Sequence, residues 1–332
     1  MKKAAITLLA ILAVSCVPSS SISSAISENP FIEAVDLEKT SFIIQPVLSD
    51  GVLKAYPDNN IRSYHGESVI AFPLFSDVHI TRDLEDSGVT VYSDEIISFL
   101  ESNDYPFAIN LGDTIDQGTF DNEEYLDFLS SAANAVNGNL IYAIGNHELH
   151  DETSLSFDRL LSLLHPGQEN SRMVRYTYGP LSIYKLDDSR RTFGRKQLVW
   201  LEEALKQDTS PYRIFVAHEI VAAGWMPDHS LAVFGIDPAE AAKLYRIMAE
   251  YGVSVLFTGH HHKGNILYRH SDYMAEFNAA AAHKRDSVFE SSGWVYLVEL
   301  DTIEKEIRIT SYATATGEEG SIFVTGLREV LQ

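Results

Sequence analysis

From residue 69 onward, short apolar runs alternate with amphipathic segments, and five polar motifs directly follow apolar runs. This alternation is typical of an α/β protein in which helices cover a sheet. In open α/β sheets, ligands bind beyond the carboxyl ends of the strands. In chain order, the motifs are Asp77-Val78-His79, Gly112-Asp113-Thr114-Ile115-Asp116, Gly145-Asn146-His147-Glu148, His218 and Gly259-His260-His261-His262. We therefore expect their side chains to meet at one place.

The apolar runs that precede the motifs have the length of buried strands. The predicted strands cover residues 69–75, 107–111, 140–144, 213–217 and 253–258. The predicted helices cover residues 90–101, 121–136, 195–206 and 238–251, and the last two strands, 294–300 and 306–312, form a hairpin. Because no repeat or linker interrupts this pattern, we predict one catalytic domain over residues 69–332.

The motifs combine carboxylates, an amide oxygen and imidazoles, which are metal-binding groups. Each motif alone is weak evidence, since Asp-x-His is a common tripeptide and Gly-Asp is a common turn. Their joint occurrence after predicted strands is much more specific, because consecutive polar side chains at a buried strand end are unfavourable without partners. Oxygen and imidazole donors without thiolate suit Mn, Fe, Zn or Ni better than Cu(I), Ca or Mg.

The set and order of the motifs resemble the calcineurin-like metallophosphoesterase superfamily. The resemblance implies a four-layer α/β/β/α sandwich with two mixed β-sheets. It also implies two transition-metal ions, divalent or trivalent, with Asp113 bridging them. The first metal would be bound by Asp77, His79, Asp113 and His262, and the second by Asp113, Asn146, His218 and His260. The implied activity is hydrolysis of a phosphoester by direct attack of a metal-bridging hydroxide, without a phosphoenzyme.

The resemblance also implies catalytic side chains beside the metals. His147 matches a histidine near the leaving-group oxygen, and we interpret it as a general acid or charge stabiliser. Histidine is the residue most often used for such proton transfer. Asp116 or Glu148 would supply the carboxylate that orients it.

Departures from related sequences bear on the substrate. Asp116 stands where purple acid phosphatases carry the tyrosine that binds iron, so a purple Fe(III) site is not expected. Gln117 and Ile144 stand where protein Ser/Thr phosphatases carry arginine. Arginine binds phosphate monoester dianions in a bidentate manner, so its loss favours phosphodiester or nucleotide-type substrates. The residues after His218, Glu219 and Ile220, are expected to mark only a loop difference.

Two alternatives remain open. The protein could be a phosphomonoesterase, either of the scavenging acid-phosphatase type or of the phosphoprotein type. It could instead be a non-catalytic lipoprotein that binds partners at a surface. Intact metal-binding motifs favour the enzyme, because a binding protein has no chemical need for them.

The overall charge limits the partners. With 25 Lys+Arg against 47 Asp+Glu, the chain has a formal net charge of −22. Such an acidic chain is not expected to present a nucleic-acid-binding surface. It can still bind a small phosphoester, since two divalent ions with their carboxylates and hydroxide leave a local charge of about +1.

The N-terminus has the pattern of an export signal. Lys2 and Lys3 precede an apolar run over residues 4–14, which is too short to span a bilayer as a helix. Cys16, the only cysteine, follows Ala-Val-Ser and resembles a bacterial lipobox. We predict a signal peptide over residues 1–15, a lipidated Cys16 with a Ser-rich tether over residues 16–30, and an N-terminal extension over residues 31–68.

The predicted location is therefore the bacterial cell envelope, with the lipid as the only contact to the membrane. Val17 follows Cys16 in place of the aspartate linked with inner-membrane retention, which slightly favours the outer membrane. Ala-Val-Ser is also acceptable to ordinary signal peptidase, in which case the protein is periplasmic or secreted.

The segment 222–237, rich in aromatic residues, is either a packed loop or a substrate wall. His283, Lys284 and Arg285 are expected to form a solvated basic cluster.

Overall fold

The structure is a computed structural model that describes residues 68–80, 88–116, 123–149, 173–222, 235–263, 265–285 and 291–331. All structural statements refer to these residues. The predicted signal peptide and tether, nearly all of the N-terminal extension, Gln117 and most of the segment 222–237 lie outside them. Among the helices within them, none has the length and apolar character needed to cross a membrane.

The described residues form fifteen strands and four α-helices. The strands are β1 (Val69–Phe75), β2 (Val89–Thr90), β3 (Ala108–Asn110), β4 (Leu140–Tyr142), β5 (Val174–Tyr178), β6 (Leu181–Lys185), β7 (Tyr212–Val216), β8 (Val255–Thr258), β9 (Ile266–Ser271), β10 (Met274–Asn278), β11 (Lys284–Arg285), β12 (Ser291–Ser292), β13 (Trp294–Asp301), β14 (Glu306–Ala313) and β15 (Glu319–Gly326). The helices are α1 (Ser93–Glu101), α2 (Glu123–Ala135), α3 (Arg195–Gln207) and α4 (Pro238–Tyr251).

Two six-stranded sheets contain most of the strands. The first has the order β15-β14-β13-β1-β3-β4, and the second has the order β5-β6-β7-β8-β10-β9. Strands β1, β3 and β4 are mutually parallel, as are β6, β7, β8 and β10, while the other pairings in the two sheets are antiparallel. Parallel strands end at the same edge of a sheet, so the loops that follow them lie side by side.

The two sheets face each other across a shared apolar core. Phe72 of β1 stacks on Phe107 with ring centroids 4.7 Å apart, and it meets Phe257 of β8 edge to face at 6.4 Å. A second core places α1 and α2 on the outer face of the first sheet, and a third places α3 and α4 on the second. This arrangement confirms the predicted four-layer α/β/β/α sandwich with two mixed sheets.

Local chemistry explains where α4 begins and ends. The Asp237 side chain accepts a hydrogen bond from Ala239 N at 2.9 Å, and Pro238 occupies the first helical turn. The helix ends at Gly252, which has a φ of 69°. An N-cap aspartate, an early proline and a left-handed glycine are common helix-end signals. The predicted helix over residues 238–251 is therefore confirmed.

Helix α1 begins three residues later than predicted. The prediction began at Thr90, but Val89 and Thr90 form β2 and pair with Arg285 and Lys284 of β11. Both residues are β-branched, which favours extended backbone. The prediction was wrong at this boundary because the pairing partner lies almost two hundred residues away in sequence.

Candidate metal centre

The polar motifs extend from the carboxyl ends of five strands, as predicted. Strand β1 leads to Asp77, β3 to Asp113, β4 to Asn146, β7 to His218 and β8 to His260. The first three strands belong to one sheet and the last two to the other. The site therefore lies where loops from both sheets meet.

The acidic and imidazole side chains form two clusters that share Asp113, and His79, Asp116 and His147 form a further one. Asp77, His79, Asp113 and His262 form the first cluster, and Asp113, His218 and His260 form the second. Within each cluster, one potential ligand atom per residue lies within 4.8 Å of the others. His262 Nε2 lies 3.1 Å from Asp77 Oδ1, and His218 Nε2 lies 3.1 Å from Asp113 Oδ2. Asp113 therefore offers a potential ligand atom to both clusters.

The Asp77 and Asp113 carboxylates each use one oxygen to join two loops. Asp77 Oδ2 accepts a hydrogen bond from His260 N at 3.0 Å, and Asp113 Oδ1 accepts one from His147 N at 2.8 Å. The other oxygens, Asp77 Oδ1 and Asp113 Oδ2, are buried without a hydrogen-bond partner among the described residues. Each carboxylate is thus fixed through one oxygen and presents the other to its cluster.

Other potential metal-binding atoms at the site also lack a hydrogen-bond partner. Among the described residues, no hydrogen-bond partner is found for the buried atoms Asn146 Oδ1, His218 Nε2 and His260 Nδ1. Burial of several polar atoms without partners is unfavourable by roughly 1–3 kcal/mol each. A cation would satisfy all of them together, and their oxygen and nitrogen chemistry suits a transition-metal ion. The residues present therefore fit a metal centre.

The backbone of the site is held in an uncommon conformation. Of the eight described non-glycine residues with positive φ, five belong to this site. They are Asp77, His79, Asp113, His260 and His262, with φ between 50° and 69°. Each left-handed residue costs roughly 1–3 kcal/mol. The surrounding strands and hydrogen bonds maintain this strained backbone. The left-handed conformation turns successive side chains towards the same centre.

Two motif glycines are required by close packing. A Cβ atom at Gly145 would overlap the Asp113 side chain, and one at Gly259 would overlap Ser76 and approach Asp77 Oδ2 to 2.8 Å. The absence of a side chain at these positions lets the loop of one motif contact the carboxylate of another. This explains why glycine precedes Asn146 and His260 in the sequence.

Glu148 holds the loops after β3 and β4 together. Its carboxylate accepts hydrogen bonds from the backbone N–H groups of Asp113 at 3.0 Å, Thr114 at 2.7 Å and Gly145 at 2.7 Å. The hydroxyl of Tyr142 donates a fourth hydrogen bond at 2.7 Å. Glu148 is 1% exposed. These contacts fix the loop that carries Asp113, and they make Glu148 a positioning residue for that loop.

Asp116 contacts two imidazoles at the mouth of the first cluster. Its Oδ1 atom lies 3.0 Å from His79 Nδ1 and 3.6 Å from His147 Nδ1. Burial alone would raise the pKa of Asp116, but the hydrogen bond with His79 and the charges of the two histidines lower it. Burial would lower the pKa of His79, but Asp116, Asp77 and Asp113 raise it to about 9.

His147 lies at the edge of the site, with its side chain 20% exposed. Its Nδ1 atom hydrogen-bonds to the Asp116 carbonyl oxygen. Its Nε2 atom lies 3.9 Å from Asp113 Oδ2. The ring therefore presents Nε2 to the centre while Nδ1 is held by the backbone.

The loop after β7 is fixed by two buried acids that the sequence analysis missed. Asp188 accepts hydrogen bonds from the N–H groups of His218 at 2.9 Å and Glu219 at 3.0 Å. Glu276 accepts them from Val221 at 3.0 Å and Ala222 at 2.9 Å. Asp188 follows β6 and Glu276 lies on β10, two strands that were not predicted.

His283 was predicted to be solvated, and this prediction was wrong. The residue is fully buried, and its Nδ1 lies 2.7 Å from the Asp77 carbonyl oxygen. Its ring centroid lies 4.8 Å from that of His79 and 5.1 Å from that of His262. Burial and the neighbouring His79 lower the pKa of His283 to about 3. The run of small alanines before it, residues 279–282, lets this segment pack closely against the first cluster.

Comparison with known proteins places this site in a family. A sequence model of calcineurin-like phosphoesterases matches residues 72–264, more than half of the chain. No curated protein sequence matches it. Among solved structures, a purple acid phosphatase from yellow lupin (Lupinus luteus) is 14% identical with a TM-score of 0.56, covering 78% of this chain and 54% of that one. The chain thus spans about half the length of the lupin protein.

Two further structures share the fold. A dimetal phosphatase from Danio rerio is 13% identical, with a TM-score of 0.53 over 78% of this chain and 99% of that one. GAP50, the anchor in the inner membrane complex of Plasmodium, is 12% identical, with a TM-score of 0.52 over 79% and 90%. The fold is that of a calcineurin-like phosphoesterase domain, and its buried acid and imidazole groups could hold metal ions. The chain belongs to the calcineurin-like phosphoesterase family.

Replacing Glu148 by alanine is expected to destabilise the protein. The change leaves the buried N–H groups of Asp113, Thr114 and Gly145 without their acceptor. Because each unsatisfied donor costs roughly 1–3 kcal/mol, the free energy of unfolding should fall by at least about 3 kcal/mol. Urea denaturation of metal-free protein measures this. Glu203→Ala on the exposed face of α3 is the control and should stay within about 0.5 kcal/mol; equal stabilities of the two variants would contradict the role of Glu148.

Proposed function

We propose that this protein is a dinuclear phosphoesterase, with the first metal bound by Asp77, His79, Asp113 and His262. The second metal is bound by Asp113, Asn146, His218 and His260. The observation that carries this proposal is the sharing of Asp113 between two buried clusters whose potential ligand atoms point inward. Family membership supports two ions in place of one.

Two of the proposed ligands, His79 and His218, are oriented by hydrogen bonds on the nitrogen that faces away from the proposed metals. When bound, two such ions supply a hydroxide nucleophile at neutral pH and stabilise charge on the phosphoryl oxygens. The chain positions the groups that bind them. His79 is oriented through Nδ1 by Asp116 at 3.0 Å, and His218 through Nδ1 by the Leu111 carbonyl oxygen at 2.8 Å. Such contacts orient the rings for metal binding.

His147 is proposed as the residue that assists the leaving group. Its Nε2 atom faces the centre, and its Nδ1–H is held by the Asp116 carbonyl oxygen. With both nitrogens protonated, Nε2–H can be donated to a departing oxygen. Asp116 supports this role through the 3.6 Å contact of its carboxylate with the ring. Glu148 supports it indirectly, through the loops that carry Asp113 and Gly145.

For the substrate, we favour a phosphodiester or nucleotide-type ester. Ile144 occupies one of the two positions where related phosphatases carry arginine, and its side chain is buried in the core beneath α1 and α2. It therefore offers no cation to a monoester dianion. The alternative is a phosphomonoesterase. The metals would be Mn, Fe, Zn or Ni, since the proposed ligands are oxygen and imidazole donors.

We further propose export and lipid anchoring at Cys16. The support is the basic start, the short apolar run and the lipobox-like Ala-Val-Ser-Cys. The outer membrane is slightly favoured by Val17. The Ser-rich tether would keep the catalytic domain near the bilayer, within roughly 20 Å for a flexible coil.

The activity is tested by hydrolysis of bis(p-nitrophenyl) phosphate and p-nitrophenyl phosphate by the mature protein loaded with Mn²⁺. We expect turnover that chelator abolishes, with a higher kcat/KM for the diester. Asn146→Ala removes a proposed ligand and should reduce turnover to the chelator background. Asn134→Ala, an exposed asparagine on α2, is the matched control and should keep full activity.

The ratio of the two activities decides between ester classes. A higher kcat/KM for the monoester would select the phosphomonoesterase. Turnover that survives in Asn146→Ala would contradict the ligand assignment. Failure of both substrates with Mn²⁺, Fe²⁺, Zn²⁺ and Ni²⁺ would favour the non-catalytic lipoprotein.

His147→Ala should slow the reaction most when the leaving group is basic. A poor leaving group such as an alkoxide needs a proton, whereas p-nitrophenolate leaves without one. We expect kcat to fall by roughly 10²–10⁴-fold for alkyl esters and much less for nitrophenyl esters. His270→Ala on β9 is the control. An unchanged kcat with alkyl esters would remove the assignment of His147.

Lipid anchoring is tested by growing an expressing bacterium with radiolabelled palmitate. We expect label on the wild-type protein and its disappearance in Cys16→Ser, because Cys16 is the only thiol. Absence of label on the wild type would replace the lipoprotein with a periplasmic or secreted form. Label that persists in Cys16→Ser would show that another residue is modified.

A further inference from the structure

Glu219 is a fully buried carboxylate next to the second cluster. It follows His218 directly after β7, and its side chain is 0% exposed. Its Oε2 atom lies 3.3 Å from His260 Nε2, and its Oε1 atom lies 3.8 Å from Arg191 Nε. Glu219 does not belong to the clusters of acids and imidazoles, so its oxygens are not among the proposed ligand atoms.

The two ring nitrogens of His260 have different surroundings. Nδ1 is buried without a hydrogen-bond partner among the described residues, whereas Nε2 faces Glu219. A neutral imidazole carries one proton, and a carboxylate beside one nitrogen keeps the proton there. Glu219 thus favours the tautomer with the proton on Nε2. That tautomer leaves the Nδ1 lone pair available to a metal.

The loop itself does not depend on the Glu219 side chain. The backbone N–H groups of His218 and Glu219 donate to Asp188, and those of Val221 and Ala222 donate to Glu276. Four backbone hydrogen bonds to these two acids therefore hold the segment that carries His218. The Glu219 carboxylate is directed instead at His260 and Arg191.

Two other histidines of the site have a comparable partner on the nitrogen that faces away from the clusters. His79 Nδ1 contacts Asp116, and His218 Nδ1 contacts the Leu111 carbonyl oxygen. Contacts of this type fix the ring and raise its basicity as a ligand. Glu219 Oε2, 3.3 Å from His260 Nε2, occupies the corresponding place, and neither Glu219 oxygen has another hydrogen-bond partner among the described residues. From the sequence, Glu219 was expected to mark only a loop difference, because its partner His260 lies about forty residues further along the chain.

We propose that Glu219 is a positioning residue for the second metal, acting by orienting His260 through Nε2 and holding its metal-binding tautomer. This inference rests on the proposed function, since it requires His260 to be a ligand. Arg191 contacts the other oxygen of the Glu219 carboxylate. Its side chain is 44% exposed, and its guanidinium offsets the charge of the buried carboxylate.

The test is Mn²⁺ binding by the metal-free mature chain, followed by calorimetry and by the metal content after equilibrium dialysis. The wild type should bind two ions. Glu219→Ala should bind the first ion with unchanged affinity and the second about 10–100-fold more weakly. Glu219→Gln keeps an acceptor oxygen for Nε2–H and should recover most of the lost affinity.

Electron paramagnetic resonance gives a second readout that general destabilisation would not imitate. The wild type with two Mn²⁺ equivalents should show a spin-coupled pair, and Glu219→Ala should show mainly an isolated Mn²⁺ ion. The matched control is Asp208→Asn, a buried acid after α3 that contacts Ser182 and Tyr184 of β6 and Arg213 of β7. It should retain both ions, and unfolding of each metal-free variant checks that it folds.

Three outcomes would overturn the inference. Wild-type affinity for the second ion in Glu219→Ala would remove any role of the carboxylate. Loss of both ions in Glu219→Ala, or equal loss in Asp208→Asn, would reduce its role to general stability. A wild type that binds fewer than two ions would refute the dinuclear centre itself. Two bound ions without phosphoester hydrolysis would refute only the proposed activity, and the Glu219 result would still stand.

Discussion

The site depends on carboxylates that bind a loop with one oxygen and face a cluster with the other. Asp77 joins the two sheets through His260 N, and Asp113 joins two loops of one sheet through His147 N. These hydrogen bonds determine which oxygen of each acid faces its cluster. Were either contact absent, the carboxylate could rotate, and the shared position of Asp113 between the clusters would be lost. The same atoms thus determine both loop packing and the geometry available to metals.

The apolar core makes this polar arrangement possible. Five site residues adopt left-handed backbone, and several buried donor atoms lack hydrogen bonds among the described residues. Such strain persists only where the surrounding structure is rigid. The two sheets and the aromatic contacts of Phe72 provide that rigidity directly beneath the loops. A bound metal would provide a partner for the buried ligand atoms that lack hydrogen bonds, but it would not remove the backbone strain. The protein itself must therefore hold the loops in this conformation.

The sequence predicted the parts of the site that are local. The motifs after β1, β3, β4, β7 and β8 could be recognised because donor type and strand end lie within a few residues of each other. Asp188, Glu276 and His283 could not be recognised in this way. Asp188 and Glu276 act through strands β6 and β10, whose pairing is non-local, and His283 is buried by residues two hundred positions away. The start of α1 was misplaced for the same reason, since Thr90 pairs with Lys284.

Substrate choice depends on where positive charge enters the site. The Ile144 side chain is apolar and buried in the core, so this position cannot bind a phosphate dianion. Arg191 lies in the loop between β6 and α3, where its backbone N–H donates to the Asp188 carbonyl oxygen, and the Asp188 carboxylate in turn accepts a hydrogen bond from His218 N. Its Nε faces Glu219 and not the first cluster. Because Arg191 offsets the charge of Glu219, it adds little net positive charge to the site. This supports the proposed preference for an ester with one anionic oxygen over a monoester dianion.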